Sequence, residues 1–216
     1  MSRNKPKANV KTSKGRKGSS TLWLRRQLND PYVAEAQRLG YRGRAAFKLK
    51  EMDEKLKILK PGMRVVDLGA APGGWCQIAT EKGCSVVAID LLEMDEMADM
   101  DAIQMDFMDN DAPDRLKAML GGHKADIVLS DMAPNTIGHK QTDHLRIMAL
   151  VEAAYLFATE VLEPDGIFIA KVFQGGAQNN LLAEMKRDFK TTKHIKPAAS
   201  RKESSETYLI ASGFKG

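Results

Sequence analysis

An aspartate and a lysine stand where an α/β chain can most readily do chemistry. Asp131 follows the apolar run ADIVLS (125–130) and Lys171 lies near the end of GIFIAKV (166–172), so each falls at the carboxyl end of an expected strand. In open α/β sheets that rim is where ligands bind. Glu206 opens a further apolar run, TYLIAS (207–212). If that strand returns antiparallel to its predecessor, its start comes to the same rim. A lysine beside carboxylates can draw off a proton or stabilise a negative charge as it develops. Each residue also has a plainer reading. A strand-end lysine is usually solvated, an aspartate before Met-Ala-Pro can cap a turn, and Glu206 can pair with Arg201 or Lys202.

The stretch VVDLGAAPGGWCQ (65–77) gives these groups something to act on. An apolar run ends in an acid, glycines and a proline follow, and the pattern then turns helical. Glycines let a backbone come close to a ligand, and the helix start offers free N–H groups. The dinucleotide fingerprint G-x-G-x-x-G is not met, because Gly69 is followed by Ala-Ala-Pro-Gly-Gly. Asp90 ends the next strand about 20 residues later, where a carboxylate can take ribose hydroxyls. Asp106, in QMDF after a third strand, can accept from an adenine amino group. These features suit a nucleoside-containing cofactor without a pyrophosphate.

The elements that must position these residues alternate. Apolar runs at 64–68, 85–89, 125–130, 166–172 and 207–212, with weaker strands near 102–105 and 191–197, are separated by helical patterns at 73–82, 111–120, 142–162 and 177–189. Such alternation predicts a doubly wound α/β sheet, mostly parallel. Upstream, Asp30 as N-cap and Pro31 at the first helical position predict a helix ending at Gly40, and a second runs from near Arg44 to about Leu59. Arg38, Arg42, Arg44, Lys48 and Lys50 lie in this part, with Tyr41 and Phe47 among them. Such a mixture suits phosphate and base contacts, or a face packed through its aromatics with its cations in water. The acidic, Met-rich stretch 93–101 reads as loop and core filler.

Charge is unevenly spread. The formal net charge is +5, yet the first 28 residues hold nine basic residues and no acid, and the remainder holds 24 basic against 28 acidic. Residues 1–20 read as a disordered basic tail whose binding to a polyanion would depend strongly on salt. No apolar run is long enough to span a bilayer and no leader is evident, so a cytoplasmic protein without membrane attachment is expected. Cys76 and Cys84 read as reduced core thiols. His123, His139, His144 and His194 show no ligand spacing, and no metal is expected.

DLGAAPGGW, AIDLLEMD, QMDF, SDMAPN and IAKVFQG, with RGRAAFKL upstream and SSETYLIA near the end, resemble the motifs of the FtsJ-type (RrmJ-like) ribose 2′-O-methyltransferases. The resemblance runs in order from about residue 20 to the end, and is strongest to the bacterial members that methylate a uridine ribose in 23S ribosomal RNA. It implies a Rossmann-like methyltransferase fold, a mostly parallel seven-stranded sheet with helices on both faces. It implies S-adenosylmethionine as cofactor, with Gly69, Pro72, Gly73, Trp75, Asp90, Asp106 and Asp131 as its contacts. The family's Lys-Asp-Lys-Glu set falls on Lys48, Asp131, Lys171 and Glu206. On this reading residues 21–216 form one methyltransferase domain, 21–60 being a helical part that contacts RNA. The partner is 23S ribosomal RNA in the large subunit, and a monomer is expected because a large substrate needs an open rim.

Overall fold

Seven strands form one sheet in the order β3-β2-β1-β4-β5-β7-β6. The structure is a computed structural model and describes residues 24–25, 27–134, 140–173 and 179–216. The basic tail expected over 1–20 lies outside them. The strands are β1 (Arg64–Leu68), β2 (Ser85–Asp90), β3 (Met100–Gln104), β4 (Ala125–Ser130), β5 (Leu162–Phe173), β6 (Phe189–Ile195) and β7 (Glu206–Phe214). The helices are α1 (Pro31–Leu39), α2 (Ala46–Leu56), α3 (Gly74–Glu81), α4 (Ala112–Met119), α5 (Lys140–Val161) and α6 (Asn179–Asp188).

β1 to β5 pair in parallel, and β7 runs antiparallel to both β5 and β6. Parallel strands are covered on both faces, which is why their sequences read as nearly continuous apolar runs. On one face Val66, Val128 and Phe168 pack with Leu116 of α4 and Val151 of α5. On the other, Val65, Ile127 and Ile169 pack with Leu49 of α2 and Ile78 of α3.

Strand order turns back between β1 and β4, the switch point at which such sheets bind ligands. Leu68 and Ser130 pair across it, so the glycine turn and Asp131 leave the sheet side by side. Antiparallel β7 sets Lys171 opposite Tyr208 and Phe173 opposite Glu206. The start of β7 therefore does reach the rim that carries Asp131 and Lys171.

Several boundaries differ from the sequence expectation. α2 ends at Leu56, where Lys57 adopts a left-handed φ of 53° and donates to the Asp53 carbonyl. Asp53 Oδ1 also takes the Leu59 N–H, and Ile58 and Leu59 turn into the core rather than extending the helix to 59. β6 begins at Phe189, immediately after α6, because Phe189 is buried and packs on Phe214. At α1 the expectation holds: Asp30 accepts from the Tyr32 N–H, and Gly40 closes the helix at φ 74°.

Candidate active site

The turn after β1 is shaped by close approach. Gly69 has φ 77°, and a Cβ there would lie 2.6 Å from Met132 Cγ, so no side chain fits. Gly73 has φ 98°, and a Cβ there would meet the Arg42 guanidinium at 2.8 Å. Asp90 holds the turn from the neighbouring strand: its Oδ2 accepts from Ala71 N–H and its Oδ1 from Leu92 N–H, both at 2.9 Å. Asp106 Oδ1 accepts from Met108 N–H at 2.9 Å. Backbone donors thus fix both carboxylates in orientation. They border a cavity of about 550 Å³ to which Gly69 and Asp131 also contribute, of a size suited to a nucleoside-containing ligand.

Pro72, Gly73 and Trp75 do not line this cavity. Trp75 is 3% exposed, packs on the Tyr208 ring and donates its indole N–H to Ala45 O at 2.9 Å. The first turn of α3 faces α2, so the side chain at position 75 enters the core and only its backbone stays near the turn. The Trp75 side chain thus supports the turn from the core.

The four ionisable residues meet. Lys171 Nζ lies 3.1 Å from Asp131 Oδ1 and also donates to the Asp131 main-chain carbonyl. Lys48 Nζ lies 2.9 Å from Glu206 Oε1 and 3.7 Å from Asp131 Oδ2. Both lysines are only 8% exposed. Burial alone raises the pKa of Asp131, but Lys171 and Lys48 outweigh it and hold the carboxyl below its ordinary value. Two buried cations and two partly buried carboxylates therefore form one charge-balanced group.

Tyr208 joins them. Its hydroxyl accepts from Lys48 Nζ at 2.9 Å and donates to Asp131 Oδ1 at 2.7 Å. Burial and the neighbouring Asp131 and Glu206 carboxylates keep the phenol protonated, its pKa raised far above the ordinary value. The sequence reading did not single out Tyr208. Its signal was position, since it lies two residues after Glu206 in the strand and so shares that residue's side of the sheet. Tyr208→Phe removes one donor to Asp131 and leaves the ion pairs, so a loss of activity of about tenfold, corresponding to about 1.4 kcal/mol, is expected in steady-state kinetics.

Of the basic residues upstream, Arg42 and Arg44 are engaged within the protein. Arg42 donates to the carbonyls of Asp95 and Glu96, strapping the loop after β2 over the glycine turn. Arg44 binds Asp30 and the Ala199 carbonyl. Tyr41 and Phe47 pack edge to face at 5.4 Å. Arg42, Arg44 and the aromatics of this segment therefore brace the site.

A family model described as FtsJ-like methyltransferase matches residues 41–214. The chain belongs to the FtsJ-like methyltransferase family. It is 62% identical over 213 residues to the ribosomal RNA large subunit methyltransferase E of Bradyrhizobium diazoefficiens, covering 96% of this chain and 93% of that one. The protein of the same name from Azorhizobium caulinodans is 62% identical over 216 residues, covering 97% and 90%. A crystal structure of a ribosomal RNA methyltransferase from Plasmodium falciparum is 33% identical with a TM-score of 0.72, over 82% of this chain and 100% of that one. MycE methyltransferase from the mycinamycin biosynthetic pathway, 14% identical at a TM-score of 0.51 over 76% of this chain and 49% of that one, shares the fold alone.

An FtsJ-like methyltransferase takes S-adenosylmethionine, and the residues here fit it. Gly69 of the turn borders the cavity together with Asp90 at the end of β2 and Asp106 just after β3. Asn135, Gln174 and Gly175 of the family motifs lie outside the described residues, as do His139 and the side chain of His144. Among the described residues no group of three or more His, Cys, Asp or Glu is placed to hold a metal ion. No described helix is long and apolar enough to cross a membrane.

Beneath the turn, Asp67 is buried with Oδ1 unpartnered, while Oδ2 accepts from the Cys76 thiol at 3.1 Å. Burial, opposed by the Cys76 hydrogen bond and reinforced by Asp131 and Asp90, lifts its pKa from 3.8 to about 7. Between those values the folded protein holds a proton that the unfolded chain has released. Folding stability from this group therefore falls as pH rises from about 4 to 7, by on the order of 4 kcal/mol. Asp67→Asn removes the titration. The melting temperature of the variant relative to wild type should rise between pH 5 and pH 8 in thermal scans, and a constant difference would contradict the assignment.

Proposed function

We propose that this protein transfers the methyl group of S-adenosylmethionine to a ribose 2′-hydroxyl of a uridine in 23S ribosomal RNA, on the assembled large subunit. One observation carries the reading: Asp131, which borders the cofactor cavity, is paired with Lys171 and coupled through Lys48 to Glu206. The relatives named ribosomal RNA large subunit methyltransferase E support the substrate class.

S-adenosylmethionine supplies an electrophilic methyl on a sulfonium. The protein has to align a weak nucleophile with it and manage one proton. The 2′-oxygen takes the methyl as the methyl–sulfur bond breaks, leaving S-adenosylhomocysteine, and its proton passes to water. Lys171, fixed by two contacts to Asp131, presents its Nζ to that oxygen and stabilises the negative charge that develops on it. Asp131 orients Lys171 and borders the cofactor. Lys48 and Glu206 hold the ribose. Phosphates of the RNA are met by the basic residues near the N-terminus. The protein acts as a monomer in the cytoplasm, since a particle as large as a ribosomal subunit requires an open rim.

The test offers labelled S-adenosylmethionine with purified protein to large subunits lacking the modification, free ribosomal RNA and transfer RNA. Label in 2′-O-methyluridine from subunits is expected. Label in transfer RNA alone, or in none of the three, would contradict the proposal.

A further inference from the structure

The ionic group joins two cavities. Asp131 borders the cofactor cavity, whereas Lys48 and Glu206 border a second one of about 390 Å³, together with Arg44, Arg201 and Ser204. The contacts Asp131–Lys48 (3.7 Å) and Lys48–Glu206 (2.9 Å) connect them. Asp131, Lys48 and Glu206 thus link the cavity assigned to the methyl donor with the second one. The second volume lies within the ~300–1,000 Å³ range of small-ligand pockets.

The charges lining it are unequally engaged. Lys48 is matched by Glu206. Arg44 is matched by Asp30 and is tied to the Ala199 carbonyl. Arg201 reaches Asp30 Oδ2 only at 3.5 Å, that oxygen already serves Arg44, and the Arg201 side chain is 33% exposed. Its guanidinium is thus the cation on this cavity with the most donors to spare. Glu203, on the rim, is exposed to water. Ser204 Oγ accepts from the Glu206 N–H at 3.2 Å, which leaves its hydroxyl hydrogen to donate. A guanidinium and a hydroxyl that line one cavity with a carboxylate–lysine pair suited to sugar hydroxyls match a phosphodiester next to a ribose.

We infer that the second cavity seats the target nucleotide, with Arg201 and Ser204 holding the phosphate adjacent to the methylated ribose. The inference rests on the ribose reading above. It separates two functions within one surface: Arg44 braces the protein and Arg201 grips the substrate.

The test measures binding directly, by sedimentation of the full-length protein with unmodified large subunits over a range of salt concentrations, beside calorimetric titration with S-adenosylhomocysteine. Arg201→Gln should weaken subunit binding about tenfold and lower the slope of log affinity against log salt by about one, as loss of a single phosphate contact does. Affinity for S-adenosylhomocysteine should change less than twofold. Arg201→Lys, which keeps the charge, should restore most of the salt slope. Unchanged subunit binding and slope would overturn the inference. So would parallel losses of subunit and cofactor affinity, which would mark Arg201 as a brace for Asp30. Because binding is read without methyl transfer, a protein that binds subunits but methylates nothing would defeat the ribose reading while still scoring this cavity.

Discussion

Lys171→Ala is expected to slow methyl transfer by about 10²–10⁴-fold while cofactor binding stays within about twofold. The magnitude is that of a positioned group that manages a proton or its charge at the reacting atom. Lys171 does not border the cofactor cavity, so its loss should appear in the transfer step. Its Nζ is held by Asp131 through both carboxylate and carbonyl, which leaves one N–H direction for the substrate. Lys171→Arg keeps a cation but spreads it over a wider, planar group that does not fit the same pair of contacts. It should recover little. Single-turnover transfer with labelled S-adenosylmethionine separates the steps, and a loss of less than tenfold for Lys171→Ala would remove Lys171 from the assigned role.

Asp131→Ala should lose transfer to a similar degree and also destabilise the fold, by roughly 3–5 kcal/mol, because it leaves Lys171 and Lys48 buried without their shared partner. Asp131→Asn keeps the shape and loses the charge, and should fall between that variant and wild type. The pH dependence follows from the depressed pKa. A carboxyl held below its ordinary value contributes stability above the unfolded pKa and loses it as pH falls through the lower folded one. The stability difference between wild type and Asp131→Asn should therefore be constant from pH 8 to 5 and shrink only below about pH 4. Urea unfolding across that range measures it. A difference that vanished already at pH 6 would show that Asp131 is not held ionised by the lysines.

The sheet was legible because parallel strands buried on both faces announce themselves as uninterrupted apolar runs; β1, β2 and β4 lie where such runs occur. Asp131, Lys171 and Glu206 could be placed on one rim from strand ends and one antiparallel return alone. Lys48 was different. It lies on a helix, and its approach to Glu206 depends on how α2 packs against the sheet, so only the resemblance pointed to it. Tyr208 was hidden for the opposite reason, being a tyrosine in an apolar strand that looks like core until its hydroxyl partners are seen. At Trp75, proximity in sequence to the glycines does not say which way the side chain points, and it enters the core. For Arg42 and Arg44 both phosphate contacts and a solvated face stayed open, because composition does not distinguish a cation in water from one spent on a carbonyl.

The most direct measurement is the position of the transferred methyl group in the RNA. Large subunits labelled by the purified protein yield RNA that can be hydrolysed in alkali, a reaction that requires a free 2′-hydroxyl next to each phosphodiester. Label recovered in an alkali-resistant dinucleotide, and absent when Lys171→Ala replaces the wild type, is the expected result. Label recovered in a mononucleotide methylated on its base would contradict the assignment of the Lys48–Asp131–Lys171–Glu206 group to ribose chemistry.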